Sequence, residues 1–178
     1  MSCTFIGCHP TRFRFKYKEN YTLCKKIKAA LLEQAKALYN RGARRFYVGG
    51  ALGVDMWAGE AVLSLKGMPE YLDIELVCVV PFVGHDNQWD APSKQRFAKL
   101  LAGCDEKIAA SSPGSPDAYK IRNYYMLDHS DDMIAVYDGD EKERSSTGQA
   151  VNYARKRRLD IILIHPDTAQ VSADSKKN

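Results

Sequence analysis

The sequence predicts an α/β fold: a doubly wound, mostly parallel sheet with helices on both faces. Three observations lead there. Short apolar strands alternate with amphipathic helices from one end to the other. The run "IELVCVVPF" (74–82) is almost continuously apolar and β-branched, as in a strand covered on both faces. Glycine-rich turns follow several strands. Such alternation gives parallel strands joined by right-handed helical crossovers.

Taken in order, "CTFIG" (3–7) is the first strand, and a polar, basic loop follows it. From Asn20, the residues Leu23, Ile27, Leu31, Ala35 and Leu38 recur at helical spacing, and Gly42 supplies the stop. "RFYVGG" (45–50) is the second strand. Asp55 to Leu65 is a helix with Ala58, Ala61, Val62 and Leu65 on one side. The third strand is the apolar run above. "SKQRFAKLLAGC" (93–104) is a helix ending at a glycine, and "KIAAS" a short strand. "SPGSP" (112–116) is a loop and "AYKIRNYYMLDHS" (118–130) a helix. "DMIAVYDG" (132–139), "STGQAVNYARKRR" (146–158) and "DIILIHP" (160–166) complete the alternation. Residues 1–166 are read as one domain and 167–178 as a polar, frayed tail.

Composition sets bounds. A chain of 178 residues suits one core. Hydrophobic residues at 45% and charged residues at 27% are ordinary for a globular protein. No apolar run approaches the roughly 20 residues needed to span a bilayer, so no membrane partner is expected. The start "MSCTFIGCHP" lacks the apolar stretch of a secretory signal, so a cytoplasmic location is expected. Five cysteines without a CxxC pair predict reduced thiols, no zinc and no disulfide framework. No His, Cys and carboxylate cluster has ligand spacing, so no metal and no resident cofactor is expected. The net charge is only +4; its excess lies in "TRFRFKYK" (11–18), "RGARR" (41–45) and "RKRR" (155–158), and the last two fall at helix ends. A nucleic-acid partner is therefore not expected, since dedicated binders carry a stronger basic bias. Exposed edge strands leave a homodimer open.

In a doubly wound sheet, ligands bind beyond the carboxyl ends of the strands. Candidate site residues gather there. In "YVGGALGVDMWAGEAV" (47–62), Gly49, Gly50 and Gly53 end a strand and precede a helix, where free N–H groups favour an anion. Asp55 either caps that helix or takes a ribose hydroxyl. In "IGCHPTR" (6–12), Gly7, His9 and Arg12 follow the first strand. In "SSTGQAV" (145–151), Ser146, Thr147 and Gly148 offer hydroxyls, a glycine and a helix start; a plain Ser or Thr N-cap would give much the same sequence. Arg122 and Asn123 lie on the helix before "DMIAVYDG", where an arginine can grip a phosphate bidentately. Trp57 and Trp89 are candidates for stacking on a base, with core packing the favoured reading for Trp57.

Together these stretches resemble the YpsA-like family of the SLOG superfamily, which includes the DNA-processing protein DprA and the LOG phosphoribohydrolases. The resemblance runs from about residue 3 to 165. It rests on "GGALGVDMWAGEAV", "VVPF" followed by "QW", "RNYYMLDHSDDMIAVYDG", and the turn before "VNYARKR". It implies a Rossmann-like sheet that binds a nucleotide-derived small molecule related to NAD or ADP-ribose. By position, Arg122 matches the arginine of the LOG enzymes, and Ser145 to Gly148 match their second phosphate loop. Two departures stand out. The family's Gly-His-Arg-Pro is here Gly7, Cys8, His9, Pro10. Asn152 stands where LOG enzymes carry an essential glutamate, and an amide is no carboxylate base. The sequence thus favours a nucleotide-binding module. A nucleotide N-glycosidase and DprA-like single-strand binding are the alternatives, and LOG-type hydrolysis is disfavoured.

Overall fold

The structure is a computed structural model and describes residues 1–174. Its elements are β1 (Ser2–Gly7), α1 (Thr22–Asn40), β2 (Arg45–Val48), α2 (Val54–Lys66), β3 (Glu75–Val80), α3 (Ala91–Gly103), β4 (Glu106–Ala109), α4 (Ala118–Asp128), β5 (Asp132–Val136), α5 (Ser146–Lys156), β6 (Asp160–Ile164) and β7 (Val171–Ala173). Among the described residues they form one seven-stranded sheet in the order β4-β3-β2-β1-β5-β6-β7. Pairs from β4 through β6 are parallel, and β7 alone joins antiparallel. The strand order reverses between β1 and β5. This is the doubly wound α/β fold that the alternation predicts.

The pleat explains the layers. Successive side chains along a strand point to opposite faces. Phe5, Phe46, Leu76, Cys78, Ile134 and Val136 join one core, with α1, α2 and α3. Their neighbours Ile6, Tyr47, Val77, Val79, Met133 and Ala135 join the other, with α4 and α5. Because both faces are covered, the central strands read as apolar runs with no alternation. In α1, Ile27, Leu31, Ala35 and Leu38 of the spacing read from the sequence are all 0% exposed, while Leu23 is only half-buried and Cys24 beside it completes the buried stripe.

One element falls in the segment read as a tail. Residues 171–173 are exposed, yet they pair with Leu163 and its neighbours in β6. Asp174, just beyond, accepts from Arg155 Nε at 2.8 Å. The segment is held by that ion pair and the ladder, and it carries no apolar pattern that a sequence reading could use. All five cysteines are free thiols.

Candidate functional site

The right-handed crossovers start every helix at the carboxyl edge of the sheet. The rim around β1 and β5 therefore collects the N-terminal turns of α2, α4 and α5. These turns differ in whether they are open.

The turn into α2 is closed. Gly49 follows β2, and its carbonyl accepts a hydrogen bond from Arg122 Nη1. A Cβ at Gly49 would collide with the Arg122 guanidinium and sit 2.6 Å from Asp55 Oδ2. Arg122, on α4, is only 5% exposed, and its Nε donates to Asn123 Oδ1 at 2.8 Å. Its Nη1 lies 3.8 Å from Asp55 Oδ2, which accepts the Ala51 N–H at 3.2 Å. Asp55 therefore folds back onto its own loop. Burial pushes its carboxyl above the usual range, against the opposing pull of Arg122 and of the Ala51 and Gly49 N–H groups. His85 Nε2 meets the Gly50 carbonyl at 2.9 Å, and burial holds its imidazole below the ordinary value. Gly53 is the N-cap of α2 at φ +87°, a conformation that favours glycine. A Cβ there would lie 2.9 Å from the Cys8 carbonyl oxygen, and one at Gly7 would lie 2.5 Å from Val54. The glycines let the β1 loop, the β2 turn and the Arg122 guanidinium pack together. Arg122 and Asn123 thus brace this turn from within.

The remaining expected residues divide likewise. His9 is exposed and caps a single 3-10 turn, with Nδ1 3.2 Å from Thr11 Oγ1. Arg12 reaches across to β5, where Nη2 donates to Asp138 Oδ2 at 2.7 Å, and Nη1 lies 3.5 Å from Asp167 Oδ1. Trp57 is 2% exposed among Phe13 and Phe15, so it is a core residue and offers no face to a base. Trp89 packs edge-on against His85 and Phe97, beneath the loop that carries it.

The turn into α5 is open. Ser145 is its N-cap, and its Oγ accepts from Gly148 N–H at 3.0 Å. The N–H groups of Ser146 and Thr147 in the first turn have no intrahelical acceptor. Gly148 is tight: a Cβ would sit 3.0 Å from Tyr137 Oη. Ser146 is exposed and lines two adjoining clefts. One runs along α5 past Arg144, Lys156 and the ring of Tyr124, which stacks on Tyr153 at 3.8 Å. The other is bordered by Phe82, Ser115 and the half-exposed Tyr119. A smaller hollow lies between the ends of β1 and β5, reaching Arg12, Asp138 and Thr147. Asn152 lines the larger cleft, where its Oδ1 accepts from Arg155 Nη1 at 2.9 Å.

Sequence reasoning missed several of these groups. His85 sits in "PFVGHDNQW" and Glu143 in "DGDEKERSS", the loops that follow β3 and β5. That position was the available signal. Tyr119 and Tyr124 share their helix with Arg122 and carry no signal of their own. Among the described residues, no group of three or more His, Cys, Asp or Glu is placed to hold a metal ion, and no helix is long and apolar enough to cross a membrane.

A Rossmann-like domain with helix N-termini gathered at its switch point defines the class. The comparisons then place the chain within it. It belongs to the YspA SLOG family, whose YpsA model matches residues 3–169. It is 35% identical over 157 residues to the uncharacterized SPbeta prophage-derived protein YoqJ of Bacillus subtilis (strain 168), covering 80% of this chain and 89% of that one. It is 30% identical over 153 residues to the UPF0398 protein YpsA of the same organism, covering 83% of each. Among solved structures it is similar to DNA processing protein A from Helicobacter pylori, whose report concerns its single-stranded DNA binding mode. That match has a TM-score of 0.55 at 17% identity, covering 92% of this chain and 64% of that protein. The chain thus spans somewhat less than two thirds of that protein's length, and the likeness is one of fold.

This likeness corrects one expectation. Nucleic acid was set aside because the net charge is small. The same fold serves a single-stranded DNA binder in Helicobacter pylori, so that exclusion does not stand. The physical reason is that net charge sums the whole surface, while phosphate recognition depends on donors at one place.

Proposed function

We propose that this protein binds a phosphate-bearing nucleotide at the carboxyl edge of β1 and β5, with the phosphate on the first turn of α5. The observation that carries this reading is the open α5 turn. Two N–H groups without intrahelical acceptors, on Ser146 and Thr147, stand at the positive end of the helix, Ser146 lining the α5 cleft and Thr147 the neighbouring hollow. Arg144 and Lys156 border the same cleft, and Tyr119 and Tyr124 supply aromatic faces for a base. The α2 turn contributes by fixing the rim, since Arg122 and Asp55 already fill it. Nucleotides of the NAD and ADP-ribose type are within the class. The role is binding rather than LOG-type hydrolysis, because Asn152 replaces the expected carboxylate.

A second reading is a single strand of nucleic acid in the same place. It is favoured by the fold shared with DNA processing protein A and by the continuity of the clefts through Ser146.

Calorimetric titration separates the two readings. Nucleoside mono- and diphosphates, NAD, ADP-ribose and a short single-stranded oligodeoxynucleotide are the ligands, and each mixture is checked afterwards by chromatography. The proposal expects a mononucleotide or dinucleotide to bind and remain intact. Binding of the oligonucleotide alone, weakening steeply with salt, would select the second reading. Binding of none of them would overturn both.

A further inference from the structure

Between the ends of β1 and β5 lies a small, partly open hollow, next to the open α5 turn and lined in part by Arg12, Asp138, Asp140, Glu143, Ser145 and Thr147. Its polar groups are unequally committed. Asp138 is fully engaged: Oδ2 accepts from Arg12 at 2.7 Å, and Oδ1 accepts the Asp140 N–H at 2.9 Å. Asp140 spends Oδ1 on the Lys142 N–H, which leaves Oδ2. The Glu143 carboxylate has no partner among the described residues and borders both this hollow and the α5 cleft. Thr147 is only 4% exposed, and its hydroxyl has no hydrogen-bond partner among the described residues. Its oxygen is not sealed from solvent, so a ligand group in the hollow can meet it.

With Arg12 already committed to Asp138, the open acceptors of the hollow suit a neutral polyol better than an anion. Carboxylates at Asp140 and Glu143 repel phosphate and accept hydrogen bonds from hydroxyls. The phosphate is left to the α5 turn. Thr147 belongs to both places, since its backbone is in that turn and its side chain borders the hollow. A group bearing vicinal hydroxyls and joined to a phosphate is a ribose 5′-phosphate.

We propose that the hollow seats the ribose of the bound nucleotide, with Glu143 and Thr147 reading its hydroxyls, so that the site selects ribonucleotides over 2′-deoxyribonucleotides. This inference rests on the proposed function and assigns the sugar within the same site. The hydroxyls donate to Glu143 and the free oxygen of Asp140, and the Thr147 hydroxyl donates to a sugar oxygen.

The test titrates the intact protein with the four common nucleoside 5′-monophosphates and their 2′-deoxy counterparts. At least one ribonucleotide should bind more tightly than its deoxy partner by roughly ten- to a hundredfold, as expected for hydrogen bonds to a charged acceptor. Glu143→Gln and Thr147→Val should each bring that ratio towards one. Glu143 is exposed and Thr147→Val keeps the side chain's shape, and a melting curve of each variant verifies that it is folded. Equal affinity of the two series for the wild-type protein overturns the ribose assignment and leaves the phosphate site standing. A preference that survives both substitutions also overturns it. Binding by neither series overturns this inference, and the proposed function falls with it only where the diphosphates, NAD and ADP-ribose fail to bind as well.

Discussion

Replacing Arg122 by methionine tests whether this side chain is a brace or a phosphate grip. In the structure the guanidinium is 5% exposed and holds the Gly49 carbonyl, the Asn123 amide oxygen and, at 3.8 Å, the Asp55 carboxylate. Arg122→Met leaves Asp55 buried with one fewer counter-charge and strips a carbonyl of its donor. Removing one member of a buried ion pair costs about 3–5 kcal/mol. Asp55 keeps the Ala51 N–H at 3.2 Å, which places the expected loss near the lower end, at about 3 kcal/mol. That is a large share of the roughly 5–15 kcal/mol by which a domain is stable. Urea unfolding near neutral pH, followed by tryptophan fluorescence, measures it. The deficit should shrink as pH falls. Burial already raises the Asp55 carboxyl, and losing Arg122 raises it further. A carboxyl raised in the folded state binds more protons there than in the unfolded chain, so stability rises as pH drops through its folded value. Asp55→Asn added to Arg122→Met should recover at least about 1 kcal/mol by removing the uncompensated charge. A loss under about 1 kcal/mol, or no recovery in the double variant, would refute the brace.

Three more predictions concern neighbouring features. Gly53→Ala combines a φ of +87° with a Cβ 2.9 Å from the Cys8 carbonyl oxygen. It should cost about 2–4 kcal/mol, against about 1–2 kcal/mol for Gly114→Ala, which has φ +79° and open space around it. Equal costs in denaturant unfolding would mean that the packing of Cys8 and Pro10 on α2 is unimportant. At Glu19, burial favours the neutral acid, but hydrogen bonds from Arg96 and Lys28 outweigh it and bring the carboxyl to about 2. Its contribution is complete above the unfolded value of 4.5 and is lost as pH falls from there towards 2. Glu19→Gln should flatten the acid limb of a stability–pH curve, and an unchanged limb would contradict the network. Ser145→Ala removes the acceptor of the Gly148 N–H and should cost about 1 kcal/mol by thermal or urea unfolding, while no change would mean the cap is idle.

The fold was legible because its signals are local. Strand runs, the stripe in α1 and the glycine stops each lie within one stretch, and the alternation of strand and helix implies parallel strands joined by crossovers. The strand β7 was not legible, since three exposed residues beside an ion pair carry no pattern. The site was legible only in outline. "GGALGVD" was readable as a turn with room for something close. That the occupant is Arg122, 73 positions away from Gly49, is a tertiary fact. Core packing was the favoured reading for Trp57, and Phe13 and Phe15 supply it; Trp89 read as an aromatic near a rim, but it packs on His85 of its own loop and on Phe97 of α3. The hollow beside α5 needs β1 next to β5. Arg12 and Asp138 meet across 126 positions, and no spacing rule joins them. What the sequence did hold was the rule of place: groups just after strands share one edge of the sheet.

The most direct measurement is backbone amide chemical-shift mapping by NMR, with the nucleotide that binds most tightly in calorimetry. The amides of Ser146, Thr147 and Gly148 should shift most, with those of Gly49, Gly50 and Gly53 moving little. Saturable shifts centred on the 49–53 turn, or on neither turn, would contradict the account.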